Sequence, residues 1–213
     1  MGCDIHMRVE VFVEDAWRPA NVEPYEDRNY DAFAILANVR NGSAFAGCKT
    51  GDGFVFISEP RGLPHDIARH DDPHDEDDED DEDDDGARAG YWFGDHSHSW
   101  LTLAELEAAD WQRTAVKCGV VGAKEFLAWH ERGGGRPRSY CGGITGPGIR
   151  YVLNGTMLVA VKDGSADDRM YTTVEWSETY AEASGRFHSE FMPRLRALGL
   201  PPEHVRIVFG FDS

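Results

Sequence analysis

The chain has no hydrophobic run that is long enough to cross a membrane. Its largely apolar stretches, such as Met157 to Val161 and Val205 to Phe211, are far shorter than the roughly 20 residues that a membrane-spanning helix needs. We also expect no secretory signal, because the charged residue Asp4 is reached before any basic region and apolar stretch. We therefore expect a cytoplasmic protein that does not bind a membrane.

Cysteine is scarce, and no two cysteines are close in sequence. Cys3, Cys48, Cys118 and Cys141 form no C-x-x-C pair, which argues against a zinc knuckle or a redox dithiol and favours free thiols. The chain also lacks an internal repeat. Its glycines are concentrated in residues 132–148 without the strand-then-helix context of a phosphate-binding fingerprint, so this segment is predicted to be a glycine-rich loop.

The net charge of −18 comes mostly from one segment. Between Asp71 and Asp85, thirteen of fifteen residues are Asp or Glu, and so dense a block of like charge repels itself and cannot join a core. We predict a disordered acidic insertion at residues 69–89. The rest of the chain is only mildly acidic and does not indicate a nucleic-acid partner. Metal scavenging or mimicry of DNA by the acidic run stays an alternative.

The remaining sequence predicts one α+β domain over residues 1–213. A chain of 213 residues with 41% hydrophobic composition can bury one substantial core. Partial alternation from Ile5 to Val13 predicts a strand, and Asn29 is placed to cap a helix that ends at Asn41-Gly42. Because strands and helices do not alternate in regular units, we expect helices packed on an antiparallel or mixed sheet.

Other local patterns predict the later elements of the chain. Thr102 and Glu105 form a capping-box pattern for a helix that starts near Leu103. Asn154-Gly155 between two β-rich runs predicts a type I′ hairpin over residues 149–161. The remaining expectations are strands at Phe54 to Ile57, Met170 to Trp176 and Val205 to Phe211, and helices at Ala123 to Glu131 and at Glu182 to Leu198, the last with a bend at Pro193.

Asp4-x-His6 is the first motif that can carry chemistry. On a strand the two side chains share a face, as a divalent metal site or an acid/base pair needs. A structural histidine that is hydrogen-bonded to a neighbour is the simpler interpretation.

His96-x-His98 is the second motif, and it lies just before the predicted helix at Leu103. Two imidazoles, the carboxylate of Asp95 and the hydroxyl of Ser99 are close together in sequence, and an extended segment would place both imidazoles on one face. The alternative is a polar turn in which one histidine caps the helix.

Arginines and aromatic residues near these motifs are candidates for binding a ligand. Arg28 and Arg61 can bind phosphate or carboxylate in a bidentate manner, although a single arginine is more often a surface charge. Tyr30 and Trp100 can stack on a base or belong to the core. Ser99 is a further candidate for binding the ligand.

Several separated blocks of the sequence carry a resemblance when they are taken together. These blocks are Met1-Gly-Cys-Asp-Ile-His6, Arg28-Asn-Tyr30 with Phe33 and Val39-Arg-Asn41, Pro60-Arg-Gly-Leu-Pro64, His96-Ser-His-Ser-Trp-Leu101 and Val208-Phe-Gly-Phe-Asp212. They resemble a family of bacteriophage-encoded proteins of unassigned function that begin with Met-Gly-Cys-Asp-Ile-His. The resemblance covers both ends and most of the first half of the chain. The resemblance implies a phage protein that acts in the bacterial cytoplasm, but it does not imply any particular activity.

The leading hypothesis is a phage accessory protein that binds an anionic, nucleotide-like molecule and hydrolyses a phosphate ester in it. Asp4, His6, His96 and His98 would hold zinc or manganese, or Asp4, His6 and His98 would act as acid and base. The second hypothesis is a protein that sequesters a host signalling nucleotide without cleaving it. The third is an inhibitor of a host protein that acts through the acidic run.

Overall fold

The computed structural model of the chain describes residues 2–43, 47–68 and 91–212. The acidic insertion expected at residues 69–89 lies outside these ranges. The elements in chain order are β1 (Asp4–Val13), β2 (Ala16–Pro19), α1 (Tyr30–Ala37), β3 (Lys49–Thr50), β4 (His96–Thr102), α2 (Leu103–Ala108), β5 (Thr114–Gly122), α3 (Ala123–Glu131), β6 (Arg150–Tyr151), α4 (Asn154–Asp163), β7 (Met170–Thr179), α5 (Tyr180–Ser184), a π-helical turn (Phe187–Phe191), α6 (Met192–Arg196), a 3₁₀ turn (Pro202–His204) and β8 (Val205–Asp212). The α+β class and the antiparallel to mixed sheets are confirmed.

The residues group into two compact units. The first comprises residues 1–39, 55–110 and 184–213, and the second comprises residues 40–54 and 111–183. The single domain expected from the sequence stays a prediction. No helix within the described ranges combines the length and the apolar character that a membrane crossing requires.

The first unit contains a four-stranded antiparallel sheet in the order β2-β1-β8-β4. β1 follows from the alternation in its sequence, because Ile5, Met7 and Val9 are almost fully buried on one face. β8 adds Phe209 and Phe211 to that face, and Phe211 packs against Phe33 of α1 with ring centroids 5.1 Å apart. This face of the sheet is the core of the first unit.

The opposite face of this sheet carries a buried ionic network. Glu10, fully buried, accepts hydrogen bonds from Arg8 at 2.5 Å and from Arg206 at 2.7 Å, and Arg206 also contacts Asp66 at 2.7 Å. The Ala68 backbone N–H donates to Glu10 as well, at 3.1 Å. Buried charges are tolerated where they are paired and hydrogen-bonded. The network therefore attaches residues 66–68 to the sheet.

Helix α1 begins where the sequence predicted and ends earlier. The side chain of Asn29 accepts hydrogen bonds from the Asp31 and Ala32 backbone N–H groups at 3.0 and 3.2 Å, so the predicted cap is confirmed. The expected end at Asn41-Gly42 is wrong. Asn38 adopts the left-handed conformation (φ 60°) and terminates the helix, because asparagine tolerates that region better than most residues.

The second unit contains a sheet in the order β3-β5-β7-β6, in which only the β6–β7 pair is parallel. Helices α3 and α4 pack on one face of it, where Phe126 and Met157 meet Val174 and Trp176 in an apolar cluster. This unit confirms the predicted helix at Ala123 to Glu131 and the predicted strand that begins at Met170. The strand predicted to begin at Val205 is confirmed in the first unit. Residues 132–148 contain no helix or strand, apart from a single bridge between Val120 and Cys141.

The hairpin predicted at Asn154-Gly155 is wrong, because residues 154–163 form α4. Met157 and Ala160 are buried three residues apart on one helical face, and Gly164 ends the helix in the left-handed conformation with φ 78°. Packing of this face on β7 outweighs the local preference of Asn-Gly for a turn.

Two further expectations are corrected. Residues 54–57 are not a strand but an irregular segment, in which the Ile57 backbone N–H donates to the Ile35 carbonyl at 2.8 Å. The helix expected over Glu182 to Leu198 is broken first at Gly185, which has a φ of 56° after α5 ends at Ser184, and again by the π-helical turn that precedes Pro193. Proline cannot donate the backbone hydrogen bond that would continue a regular α-helix through this point.

Candidate functional site

The antiparallel pairing of the first and last strands creates the candidate site. In this register Asp4 of β1 lies opposite Asp212 of β8, and His6 lies opposite Gly210. Residues directly opposite each other in an antiparallel pair project from the same face. The prediction that Asp4 and His6 share a face is confirmed by β1, and the pairing adds the carboxylate of Asp212 to that face.

Asp212 binds both β1 residues. Its Oδ2 is 3.2 Å from Nε2 of His6, and its Oδ1 accepts a hydrogen bond from the Asp4 backbone N–H at 3.0 Å. The hydrogen bond from the Asp4 backbone and the one from His6 hold the pKa of Asp212 below its ordinary value. Asp212 is therefore a carboxylate that orients an imidazole.

Asp4 uses its side chain for a different partner. Arg28 donates to it from Nε to Oδ1 at 2.6 Å and from Nη2 to Oδ2 at 2.5 Å, which is a bidentate pair. This pairing lowers the pKa of Asp4 and raises the pKa of Arg28. Both side chains are close to half exposed, so a ligand can reach the guanidinium from solvent.

Two aromatic side chains border this cluster. The hydroxyl oxygen of Tyr30 accepts a hydrogen bond from the Cys3 backbone N–H at 3.3 Å, at the residue that precedes Asp4. The ring of Trp92 lies against the imidazole of His6, with centroids 4.3 Å apart and an angle of 52° between the planes. Trp92 is 57% exposed, which is unusual for so large an apolar side chain.

This arrangement has the form of a histidine base with an orienting carboxylate. With Nε2–H donated to Asp212, Nδ1 of His6 carries the lone pair, and Nδ1 makes no hydrogen bond to the residues that the structure describes. An imidazole held in one tautomer by a carboxylate can accept a proton from water or from a hydroxyl group. A nearby guanidinium can bind the anionic part of a substrate.

The expectation that His96 and His98 share a face is wrong. The predicted turn is strand β4, and a β-bulge lies between His96 and Ser99, where Ser97 has a positive φ of 53°. His96 pairs with Phe211 and its ring lies 6.1 Å from that of Phe211, on the core face of the sheet. The extra residue of the bulge changes the alternation, so His98 projects from the opposite face.

His98 lies on the same face as His6, over the glycine between their strands. A Cβ atom on Gly210 would collide with the His98 ring and with the Phe93 carbonyl, and Gly210 is the residue paired with His6. Nε2 of His98 is 2.9 Å from the Gly94 carbonyl oxygen. His98 therefore contacts the segment of residues 91–95, which carries Trp92, and this contact fixes the position of that segment.

The other predicted ligand-binding residues have structural partners at strand β4. Arg61 donates to Glu105 at 2.6 Å, and its Cζ lies 5.0 Å from the centroid of the Trp100 ring. Ser99 is buried, and its hydroxyl accepts a hydrogen bond from the Arg61 backbone N–H at 3.3 Å. These contacts attach the Pro60 to Pro64 loop to β4, and they do not include the Asp4 pair.

The four proposed metal ligands do not surround one point. Asp4 is paired with Arg28, His6 with Asp212 and His98 with the Gly94 carbonyl, while His96 is on the other face. Within residues 2–43, 47–68 and 91–212, no group of three or more His, Cys, Asp or Glu side chains has an arrangement that could hold a metal ion. As placed here, these residues do not fit a single zinc or manganese centre.

Sequence reasoning missed Asp212 and Trp92. Asp212 belongs to one of the blocks that carry the family resemblance, but its partner His6 is 206 residues away, and no local pattern connects them. Trp92 is the middle residue of the aromatic run Tyr91-Trp92-Phe93, which immediately precedes Gly94-Asp95, and an aromatic residue so close to a polar turn was the available signal. Comparison with protein families, with curated proteins and with solved structures finds no match for this chain.

Proposed function

We propose that the Asp4–His6–Asp212 end of the first sheet binds an anionic, nucleotide-like molecule and hydrolyses a phosphate ester in it by general acid–base catalysis. The observation that carries the proposal is the hydrogen bond between Asp212 and His6 beside the bidentate Asp4–Arg28 pair. The resemblance to phage proteins adds the expectation of an accessory protein that acts in the bacterial cytoplasm.

In the proposed reaction, Nδ1 of His6 removes a proton from water while the water oxygen bonds to phosphorus. The bond between phosphorus and the ester oxygen breaks on the opposite side of phosphorus, the departing oxygen takes a proton from solvent, and the imidazolium ion later returns its proton to solvent. Asp212 stabilises that imidazolium, and Arg28 binds the phosphate oxygens with the donors that Asp4 leaves unused. Asp4 fixes the direction of the guanidinium.

The experiment is incubation of the purified protein with a panel of cyclic and linear nucleotides, followed by denaturation and analysis of what is released. Altered nucleotide from wild-type protein, with intact nucleotide from His6→Ala, is the expected result. Elemental analysis of the same preparations tests the zinc or manganese that the sequence led us to expect. Metal that wild-type protein carries and the His6→Ala/His98→Ala double variant loses would show that these residues rearrange to bind it. A panel in which no nucleotide is altered would contradict hydrolysis.

The second candidate is binding without cleavage, which serves to sequester a signalling nucleotide. It is favoured by the contact of His98, whose Nε2 is 2.9 Å from the Gly94 carbonyl oxygen, because this contact gives His98 a structural role and not that of a second acid or base beside His6. Intact nucleotide that returns after denaturation supports this candidate.

The third candidate is inhibition of a host protein through the acidic run. It is contradicted if deletion of Asp71 to Asp85 leaves unchanged the effect that the protein has on host cells.

A further inference from the structure

The aromatic residues expected to contact a base already have structural roles. The Tyr30 hydroxyl accepts a hydrogen bond from the Cys3 backbone, and its ring centroid is 5.7 Å from that of Phe33 in the core. Trp100 packs in the cluster around Phe93 and Val208 and faces the Arg61 guanidinium at 5.0 Å. Both rings are only partly exposed, and the ring contact recorded for His6 among the described residues is with Trp92.

Trp92 differs from both in its exposure and in its position. It is 57% exposed, and its ring is 4.3 Å from His6, whose Nε2 contacts Asp212 at 3.2 Å. We infer that Trp92 is the surface on which the base of the nucleotide stacks, an inference that rests on the function proposed above.

The order of groups along the site matches the order of groups in a nucleotide. From Trp92 a continuous series of contacts leads through His6, Asp212 and Asp4 to the guanidinium of Arg28. A nucleotide has a planar aromatic ring at one end and an anion at the other. Tryptophan binds the faces of such rings whatever the base, and arginine binds the phosphate, so the ligand class is a nucleoside phosphate and not a simple sugar phosphate.

The backbone around Trp92 is held against the sheet before any ligand binds. The Asp95 backbone N–H donates to the Phe211 carbonyl at 2.7 Å, and the Gly94 carbonyl oxygen is 2.9 Å from Nε2 of His98. Gly94 has a φ of 85°, and a Cβ atom there would collide with the Phe211 carbonyl. A fixed position reduces the entropy that a ligand must overcome when it stacks on the ring.

The test compares two ligands that differ only in the base. Binding of adenosine 5′-monophosphate and of ribose 5-phosphate is measured by calorimetry for wild-type protein, Trp92→Ala and Trp92→Phe. Trp92→Ala should weaken binding of the nucleotide by roughly tenfold to a hundredfold and leave ribose 5-phosphate unchanged, because only the stacking contact is lost. Trp92→Phe should retain most of the nucleotide affinity. Val55→Ala, at a side chain that is 55% exposed, is the control and should change neither affinity.

The outcomes separate this inference from the function on which it rests. Unchanged nucleotide binding in Trp92→Ala, or an equal loss for both ligands, overturns the stacking role while wild-type binding still supports the site. Wild-type protein that binds neither ligand overturns the proposed function and this inference together.

Discussion

Asp212 fixes which nitrogen of His6 carries the proton. Substitution of Asp212 therefore tests whether this cluster is a catalytic site or only a polar surface. Asp212→Asn keeps the shape and removes the carboxylate that would stabilise an imidazolium. For whichever phosphate ester the wild-type protein cleaves, we expect kcat to fall by at least about tenfold with little change in KM. Steady-state kinetics measures both constants.

The matched control for this variant is Asp167→Asn in the second unit. Asp167 is, like Asp212, a carboxylate whose pKa is lowered by hydrogen bonding, in this case mainly by Arg150 at 2.6 Å. Its replacement should leave kcat unchanged. Full activity of Asp212→Asn would exclude the acid–base role of the His6–Asp212 pair.

Asp4 links the free energy of unfolding to pH. Arg28 lowers the native pKa of Asp4 below its ordinary value of 3.8, so the unfolded chain binds a proton at Asp4 more readily than the folded protein does. The stabilising contribution is therefore complete well above that ordinary value, and it is lost as the pH falls through the lowered native pKa.

Urea denaturation of wild-type protein and Asp4→Asn measures this contribution directly. The variant should have the smaller free energy of unfolding near neutral pH, and the difference should shrink in acid. The effect is expected to be small because both partners of the ion pair are close to half exposed. A difference that stays constant across the acid range would mean that the ion pair does not contribute.

At the scale of single residues, the sequence identified those whose partners are near in the chain. The Asn29 cap and the Thr102–Glu105 capping box both follow from spacings of two or three residues, and both are present. The Asp212–His6 contact spans 206 residues and depends on the register of two strands, which composition and periodicity do not determine.

Strand β8 and residues 91–95 approach each other closely because Gly210 has no side chain. Gly210→Ala introduces a Cβ atom that collides with the Phe93 carbonyl and the His98 ring. We expect a loss of about 1 to 3 kcal/mol in the free energy of unfolding, as for other overpacked sites. The fluorescence of Trp92 should change as well, because residues 91–95 are displaced. A variant as stable as wild-type protein would contradict this contact.

Helix α4 can be tested at Gly155, where the sequence had predicted a turn. Apart from the adjacent residues and the backbone of the helix itself, no atom lies within 4 Å of a Cβ atom built on Gly155, and its φ is not in the positive range. In a helix, Gly155→Ala should therefore raise the free energy of unfolding by about 0.5 to 1 kcal/mol. A type I′ turn needs a positive φ at this position, so the same change would destabilise a hairpin. Thermal and urea denaturation show whether Gly155→Ala raises or lowers the free energy of unfolding.

Elements were predicted correctly where local pattern and packing agree. β1 alternates and α3 has its apolar residues at helical spacing, and both are found with nearly the expected bounds. Elements were predicted wrongly where tertiary packing determines the type of element. In α4 the burial of Met157 and Ala160 outweighs the preference of Asn-Gly for a turn. The bulge in β4 is another such case, since nothing in His96-Ser-His-Ser marks one residue as the extra one.

For the whole molecule, the α+β class followed from the irregular order of strands and helices. The candidate site did not, because it is formed where the two ends of the described chain pair as β1 and β8. Polar residues at both ends of a chain carry no signal that they meet. The contribution of the structure is thus to join Asp4 and His6, which the sequence selected, to Asp212 and Trp92, which it did not.

The most direct test of the account follows the imidazole nitrogens of the histidines by NMR while adenosine 5′-monophosphate is added. There are nine histidines in the chain, and His130 of the second unit serves as an internal reference. We expect saturable shifts of the His6 resonances in wild-type protein, no shift at His130, and loss of the His6 response in Arg28→Ala. Saturable binding that leaves His6 unchanged, or no binding at all, would contradict the claim that this end of the sheet is the functional site.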